Sequence, residues 1–461
     1  LAVSAAAARV KPLANAALWC GVVAYAAVFF ALGFVRYQAH RNFVDLGIFA
    51  QTAASAFGCF CNTVEGSHWA FHFSPILYLA GALMRLWPSA LALTALQAIA
   101  GALTIPAIYG IVERHTDRKT AALAAWVVAL YPPLAGVVFN DFHENGLAPA
   151  AVAWLLWAFD GGYLIWTLLF ALLTLAIKED QAIFLTVAGL LGFARYRGTW
   201  PRGPQALGIA VLSAAIACLF FFAIQPHAQV NPHWAPERFY AWTPQDIRAL
   251  LPDGILQRIG FLLLAFVPLL FVPLRSRAFA IAILPLSEVL FSRMSTTFTM
   301  GSHYAGAWAG YVFYAFADAL RQIYKRDPAR VRRMLYWCIG LCVVEFAAAN
   351  PLHPGYFLHA RSARDVALDT FLASLPPDIS VATQEEAYTH LAATDPNATV
   401  LPETTEQPVT ACYILIDLDF PESPRLVESK PLADRLVAQH IFVLEKQDGG
   451  ISLYKRARGC R

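Results

Sequence analysis

The chain has 461 residues, 58% hydrophobic and 14% charged, with a formal net charge of +3 and a mean hydropathy of +0.51. Soluble domains carry about 25% charged residues, so the whole chain is not a soluble globular protein. The small positive charge, with no basic patch interleaved with aromatics, gives no reason to expect a nucleic-acid partner.

Apolar runs able to cross a hydrocarbon core, roughly 20 residues each, recur along the chain. The first, Leu18 to Val35, reads as a retained membrane helix with no cleavage site. Further spans are expected at 89–111, 120–139, 145–159, 162–177, 181–195, 206–224, 257–274, 277–291, 304–320 and 334–350. With the N-terminus inside, the inner segments hold sixteen Lys and Arg, including Arg321, Lys325, Arg326, Arg330, Arg332 and Arg333. The longer outer segments hold fewer, as basic residues favour the cytoplasmic side. His72 to Trp87 is also apolar, but counting it as a span would reverse every later loop. It reads as a helix at the outer interface, where Arg85 and Trp87 suit headgroup depth. These readings predict an all-α polytopic protein of about eleven spans in a bacterial inner membrane. The transmembrane part is 1–350, with interfacial helices in the first outer loop, 36–88.

From Pro351 hydrophobicity falls and charge spreads. Strands are expected at Val409–Asp417, Ile441–Leu444 and, beyond the Gly449-Gly450 turn, Ile451–Tyr454. Helices are expected at Arg364–Leu375 and Pro431–Gln439. The odd number of spans places this small α/β domain, 351–461, on the extracytoplasmic (periplasmic) side. Among eight cysteines there is no CxxC pair. Cys20, Cys218, Cys338 and Cys342 lie in apolar helices and read as packing residues. Cys59, Cys61, Cys412 and Cys460 fall outside the bilayer, where bridges form if that side is oxidising; their connectivity stays open.

Ionisable residues gather at the outer helix ends, and such groups at membrane depth are functional candidates. The first outer loop supplies Arg36, His40, Arg41 and Asp45, then Glu65, His68 and His72. NDFHENG supplies Asp141, His143 and Glu144; KED supplies Lys178, Glu179 and Asp180; a later turn supplies His303 and Tyr304. Each has a plainer reading. Asp45 and Asp141 can act as helix N-caps, Lys178 can form a structural ion pair with its neighbouring carboxylates, and His303 can be interface packing. His68 and His72 have metal-ligand spacing, but WAF between them adds no ligand. It is the shared sidedness of four connections that points to a site.

FVDLGIFAQ, HFSPILYL with LWPSALALTALQA, YPPLAGVVFNDFHENGLA, LAIKEDQAIF and SHY, in that order over roughly 36–310, resemble a prokaryotic membrane-protein family, domain of unknown function 2079. The layout is more distantly similar to the GT-C superfamily of integral membrane glycosyltransferases. That resemblance implies a polyprenyl-phosphate sugar donor and an extracytoplasmic glycan, lipid or protein acceptor. It places Asp45 and Asp141 at the two acidic positions, and Lys178 where the aminoarabinose transferases of that superfamily have a lysine. It implies inversion, with Asp45 as general base and with Lys178, His303 and Arg41 on the departing phosphate. Asp141, His143 and Glu144 would orient hydroxyls or hold a divalent cation (Mg²⁺ or Mn²⁺). The superfamily's usual acidic pair in the first loop is here Asp45 followed by Leu46, which leaves the metal open. The competing reading is a transporter or flippase for a lipid-linked or amphiphilic solute, argued from the span number and from Pro106, Pro132, Pro268 and Pro285. Against it, transporters tend to place polar sites at midplane within internal repeats, and no repeat is visible.

Overall fold

The computed structural model describes residues 15–228, 240–241, 243–250, 254–377, 379–402, 404, 406–420, 423–424 and 426–460. Helices dominate to residue 350. α1 (Ala16–Gln38) is capped by Asn15, whose side chain accepts from the Leu18 amide. In the expected first outer loop lie α2 (Val44–Ala54), a small hairpin of β1 (Cys61–Asn62) and β2 (Gly66–Ser67), and α3 (Leu77–Leu86). At ten residues α3 reaches about 15 Å, too short to cross a bilayer. Then come α4 (Leu91–His115), α5 (Arg118–Leu130), α6 (Pro132–Phe139), α7 (Ala148–Gly161), α8 (Leu164–Leu175), α9 (Glu179–Tyr196) and α10 (Arg202–Ala228, with a π turn at Phe220–Ile224). They are followed by α11 (Ile255–Phe266), α12 (Ala280–Leu290), α13 (Ala305–Tyr324) and α14 (Pro328–Ala348).

A helix covers most of every expected span, with two differences. The run at 120–139 is two helices bent by 51°. Pro132 disfavours helical backbone at the residue before it, and Tyr131 has ψ 114°. The run at 257–274 is helical only to Phe266. Pro268 has no amide to continue the ladder, and the chain turns at Leu270 and Phe271, both at positive φ. Among the described residues three helices, α1, α4 and α10, are individually long and apolar enough to cross a membrane, or up to five if each bent pair is one span.

α13 is the central helix. Trp308, Tyr311, Phe313, Phe316 and Leu320 are all buried on it, the all-round apolar character of an interior helix. Gly306 lets it approach the loop before α7, since an added Cβ would stand 2.1 Å from the Asn145 carbonyl oxygen. Gly306→Ala is expected to cost about 1–3 kcal/mol by overpacking, read as a lowered thermal midpoint of the purified protein in detergent.

The tail forms a five-stranded sheet in the order β4 (Ala398–Val400), β3 (Val381–Thr383), β5 (Tyr413–Asp417), β7 (Ile451–Arg456), β6 (Phe442–Asp448). β3 pairs in parallel with β4 and β5; β7 pairs antiparallel with β5 and β6. α15 (Ala363–Ser374) covers one face through Leu368 and Phe371, and α17 (Leu426–Ala438) the other through Leu432 and Leu436. The three expected strands and two helices are present with shifted ends. β3, β4 and the intervening α16 (Glu385–Leu391) were not anticipated. Cys59 pairs with Cys61, and Cys412 with Cys460.

The tail is anchored on the first loop. Tyr388 and Ala398 share a core with Leu46 and Phe49 of α2. Gln51 donates to the Asp395 and Ala398 carbonyls, both at 3.1 Å, and accepts from the Tyr388 hydroxyl at 3.0 Å.

Candidate active site

The loop before α2 is held by a buried ion pair. Arg36, in the last turn of α1, reaches Asp141 at 2.9 Å and stacks 3.9 Å from the Phe357 ring. Asp141 also accepts from the Asn42 side chain and the Phe43 amide, both at 2.6 Å. Its carboxylate is therefore fully engaged in fixing where α2 starts. Asp141→Asn breaks this buried pair, and removing one partner of such a pair costs roughly 3–5 kcal/mol. The expected outcome is a strongly lowered unfolding midpoint. Arg41 turns towards the tail, donating to the Tyr356 carbonyl at 3.1 Å and lying over the Phe420 ring at 4.6 Å.

Asp45 sits in the first turn of α2 and is half-buried. One residue earlier, the Val44 amide is taken by Glu385 of the tail at 3.2 Å. Asp45 itself has no hydrogen bond or ion pair among the described residues. Burial, reinforced by the Asp141, Glu65, Glu385 and Glu144 carboxylates, pushes its carboxyl up from 3.8 to about 7.

The second cluster draws on three connections and the loop before α3. Lys178, the residue that opens α9, lies 3.5 Å from Glu144, and His143 lies 2.9 Å from the other oxygen of the same carboxylate. Burial opposes ionisation of Glu144, but His143 and Lys178 outweigh it and hold the carboxyl well below the usual range. His143 stacks on His303 with ring centroids 3.7 Å apart, and His303 stacks against Tyr304 at 4.1 Å. Burial, then the neighbouring His143 and Lys178, push His303 well down, so it is a neutral donor or acceptor. His72 pairs with Glu179 at 2.9 Å, whose second oxygen accepts from the Phe73 amide at 2.9 Å. Both oxygens of Asp180 are buried without a hydrogen-bond partner among the described residues.

This cluster forms the head of a cavity of about 590 Å³. His72, His143, Lys178, Glu179, Asp180 and Tyr304 line that end. Ile183, Phe184, Phe221, Leu284, Phe291 and Met294 line the rest, a mainly apolar wall that also carries Tyr240, Ser287, Glu288 and Thr297. Asp45 is within electrostatic reach of Glu65 and Tyr304, which both border the cavity. Of the residues singled out from sequence, the fold therefore gathers His72, His143, Glu144, Lys178, Glu179, Asp180, His303 and Tyr304 around one space, with Asp45 beside it. Asp141 lies at the base of α2, and Arg41 lies at the tail seam.

A family model described as "Predicted membrane protein (DUF2079)" matches residues 40–442. The chain belongs to that family. A comparison with curated proteins finds no match. Among solved structures, this DUF2079 chain is similar to ArnT from Cupriavidus metallidurans bound to undecaprenyl phosphate. The TM-score is 0.56 at 12% identity, covering 95% of this chain and 98% of that one. The apo form of the same protein gives 0.55 at 13% identity, with the same coverage. The Archaeoglobus fulgidus oligosaccharyltransferase in complex with Zn and sulfate matches at 0.40 and 14%, covering 94% and 73%. The ArnT match shows a shared fold, and the structural neighbours are GT-C glycosyltransferases.

One carboxylate lining the DUF2079 cavity was not anticipated, and a second was noted without a role. Glu288 on α12 accepts from the Tyr240 hydroxyl at 3.3 Å. Its signal was in the sequence: a carboxylate inside the expected span 277–291, where ionisable groups are rare. Glu65 was visible in the first loop but not selected. Its cavity position follows from the turn after β1, where Asn62 donates to it at 3.1 Å. The His40, Asp369 and His390 side chains also converge, at the tail seam and apart from the cavity residues.

Proposed function

We propose that this protein transfers a sugar from a polyprenyl-phosphate-linked donor to an extracytoplasmic glycan, lipid or protein acceptor, in a bacterial inner membrane with the cavity head facing outward. The observation that carries this is the two-part cavity. A charged head joined to a mainly apolar remainder matches a ligand whose phosphate sits at the bilayer surface and whose hydrocarbon chain lies among helices. The fold shared with ArnT, which was solved with undecaprenyl phosphate bound, supports the same reading.

Asp45 is the base: raised towards neutrality and unpaired, it accepts the acceptor hydroxyl's proton as that oxygen attacks the anomeric carbon. The bond from that carbon to the phosphate oxygen breaks, and its electron pair leaves with the phosphate. Attack opposite the leaving group inverts the anomeric centre. Lys178 and His72 face the phosphate, and the neutral His303, stacked on His143, offers hydrogen bonds to it or to sugar hydroxyls. Asp141 acts through α2, by fixing where Asp45 stands.

The charged lining of the cavity bears on the cofactor. Glu65, Glu179, Asp180 and Glu288 line the cavity with Lys178 and His72, and burial pushes the Glu65 carboxyl up and that of Asp180 up to about 7, so a bound cation would favour their ionised forms beside an anionic donor. The unpartnered oxygens of Asp180 fit a hard divalent cation, Mg²⁺ or Mn²⁺, of the kind held by one or two carboxylates together with substrate phosphate. Such an ion would supply charge stabilisation of the departing phosphate. The other carboxylates orient it or the acceptor.

The transporter reading has less support. The polar residues stand at the ends of α2, α9 and α13, whereas a transport site is expected near the midplane. The deciding experiment incubates purified protein with synthetic polyprenyl-phosphate sugars and membrane-derived acceptors. Release of free polyprenyl phosphate, stopped by chelator and restored by Mn²⁺, is expected. Movement of intact donor across a vesicle membrane with no release would refute transfer and favour a flippase.

A further inference from the structure

A second cavity, also of about 590 Å³, lies at the other end of α9. Glu179 and Asp180 open that helix beside the candidate site, and Arg195 and Tyr196 close it beside this cavity. At 1.5 Å per residue the two ends are about 22 Å apart. α13 shows the same polarity, with Tyr304 just before it at the first cavity and Asp318 and Arg321 near its end at the second.

Four arginines border the second cavity: Arg195, Arg275, Arg277 and Arg321. The one carboxylate among them is already used. Asp318 pairs with Arg321 through one oxygen, and its other oxygen accepts from Ser276 and from Gln322. Arg195, Arg275 and Arg277 have no hydrogen bond or ion pair among the described residues. An ordinary solvated basic face would also leave arginines unpaired, but it would not place them around a cavity. Here the walls are apolar, including Leu155, Leu185, Leu191, Ile209 and Ile281 from α7, α9, α10 and α12.

We propose that this cavity binds one anionic phospholipid from the leaflet at that face. Guanidinium groups are planar forks matched to phosphate oxygens, and basic pockets between membrane helices take anionic headgroups. The phosphodiester sits on Arg195, Arg275 and Arg277, and an acyl chain covers the leucine and isoleucine walls. A soluble phosphate would leave those walls in water. The site is separate from the transfer chemistry and does not depend on it.

Native mass spectrometry of the full chain from nanodiscs of mixed phosphatidylglycerol and phosphatidylcholine tests this. Wild-type protein is expected to retain phosphatidylglycerol with roughly tenfold preference. R195Q/R275Q/R277Q should bring that preference near unity. R326Q/R330Q/R333Q, which removes as many charges from the same end of the molecule but outside the cavity, should keep it. Equal retention of both lipids by wild type, or equal loss in both triple variants, would overturn the proposal. So would displacement of the lipid by millimolar inorganic phosphate, which would indicate a soluble ligand. If the glutamine triple does not fold, the single variants R195Q and R277Q should each lower the preference, and an unchanged preference in both would overturn the proposal.

Discussion

Asp45→Asn should abolish sugar transfer while leaving the protein as stable as wild type, or more so, at pH 8. A positioned general base contributes typically 10²–10⁴-fold, so turnover should fall by about that factor, with donor binding little changed. The stability half follows from the same geometry. The Asp45 carboxyl is pushed up from 3.8 to about 7, first by burial and then by the carboxylates of Asp141, Glu65, Glu385 and Glu144. The folded state then binds this proton more tightly than the unfolded chain. Its ionisation therefore lowers stability progressively as pH rises from about 4 to about 7, and the full penalty stands above that. Asparagine removes the penalty, so the two proteins should melt together near pH 4 and diverge by pH 8. The activity of the wild type should rise through the same interval, since only the ionised carboxylate can take a proton. Scanning calorimetry and a pH–rate profile on matched samples check both halves. A variant that loses stability at pH 8 together with activity would mark Asp45 as a helix-capping residue and no base.

The sequence exposed the elements whose causes are local. Apolar length announced most helices, and Asp117 and Asp327 cap α5 and α14 by accepting from the Thr120 and Arg330 amides, as short-range pattern leads one to expect. The bend at Tyr131 was written in Pro132 and Pro133 but was smoothed into one apolar run. Strands β3 and β4 were missed because three residues carry too little periodicity; their partners, not their sequences, make them strands. Likewise, seeing that Asp45 and Asp141 share a face did not reveal that one is free and the other saturated. That distinction depends on Arg36, Asn42 and the Phe43 amide, and Arg36 comes from a helix 103 residues away from Phe139, whose carbonyl it also binds. The tail looked separate because its composition changes at Pro351. Tyr388 against Gly47, where an added Cβ would stand 2.5 Å from the ring, ties it to the helix bearing Asp45. Long-range contact of that kind leaves no periodic trace.

Lys178 offers the second large effect, and a way to separate its two readings. It is buried and lies 3.5 Å from Glu144, which is itself fully buried. Lys178→Gln leaves that carboxylate with His143 alone, so a loss of roughly 3–5 kcal/mol of stability is expected, along with loss of transfer. The single variant cannot separate a structural ion pair from a phosphate ligand, because both predict an inactive, unstable protein. K178Q/E144Q can. Removing both charges spares the uncompensated carboxylate, and most of the lost stability should return, since neutral replacement of a buried pair is often close to neutral in cost. If Lys178 serves only the fold, activity should return with stability. If it holds the departing phosphate, the double variant should melt near wild type yet turn over about 10²–10³-fold more slowly, the typical cost of losing one preorganised group that stabilises developing charge. The lost effect would be charge stabilisation at the leaving group, so a donor with a better leaving group should recover more of the rate in K178Q/E144Q than in Asp45→Asn.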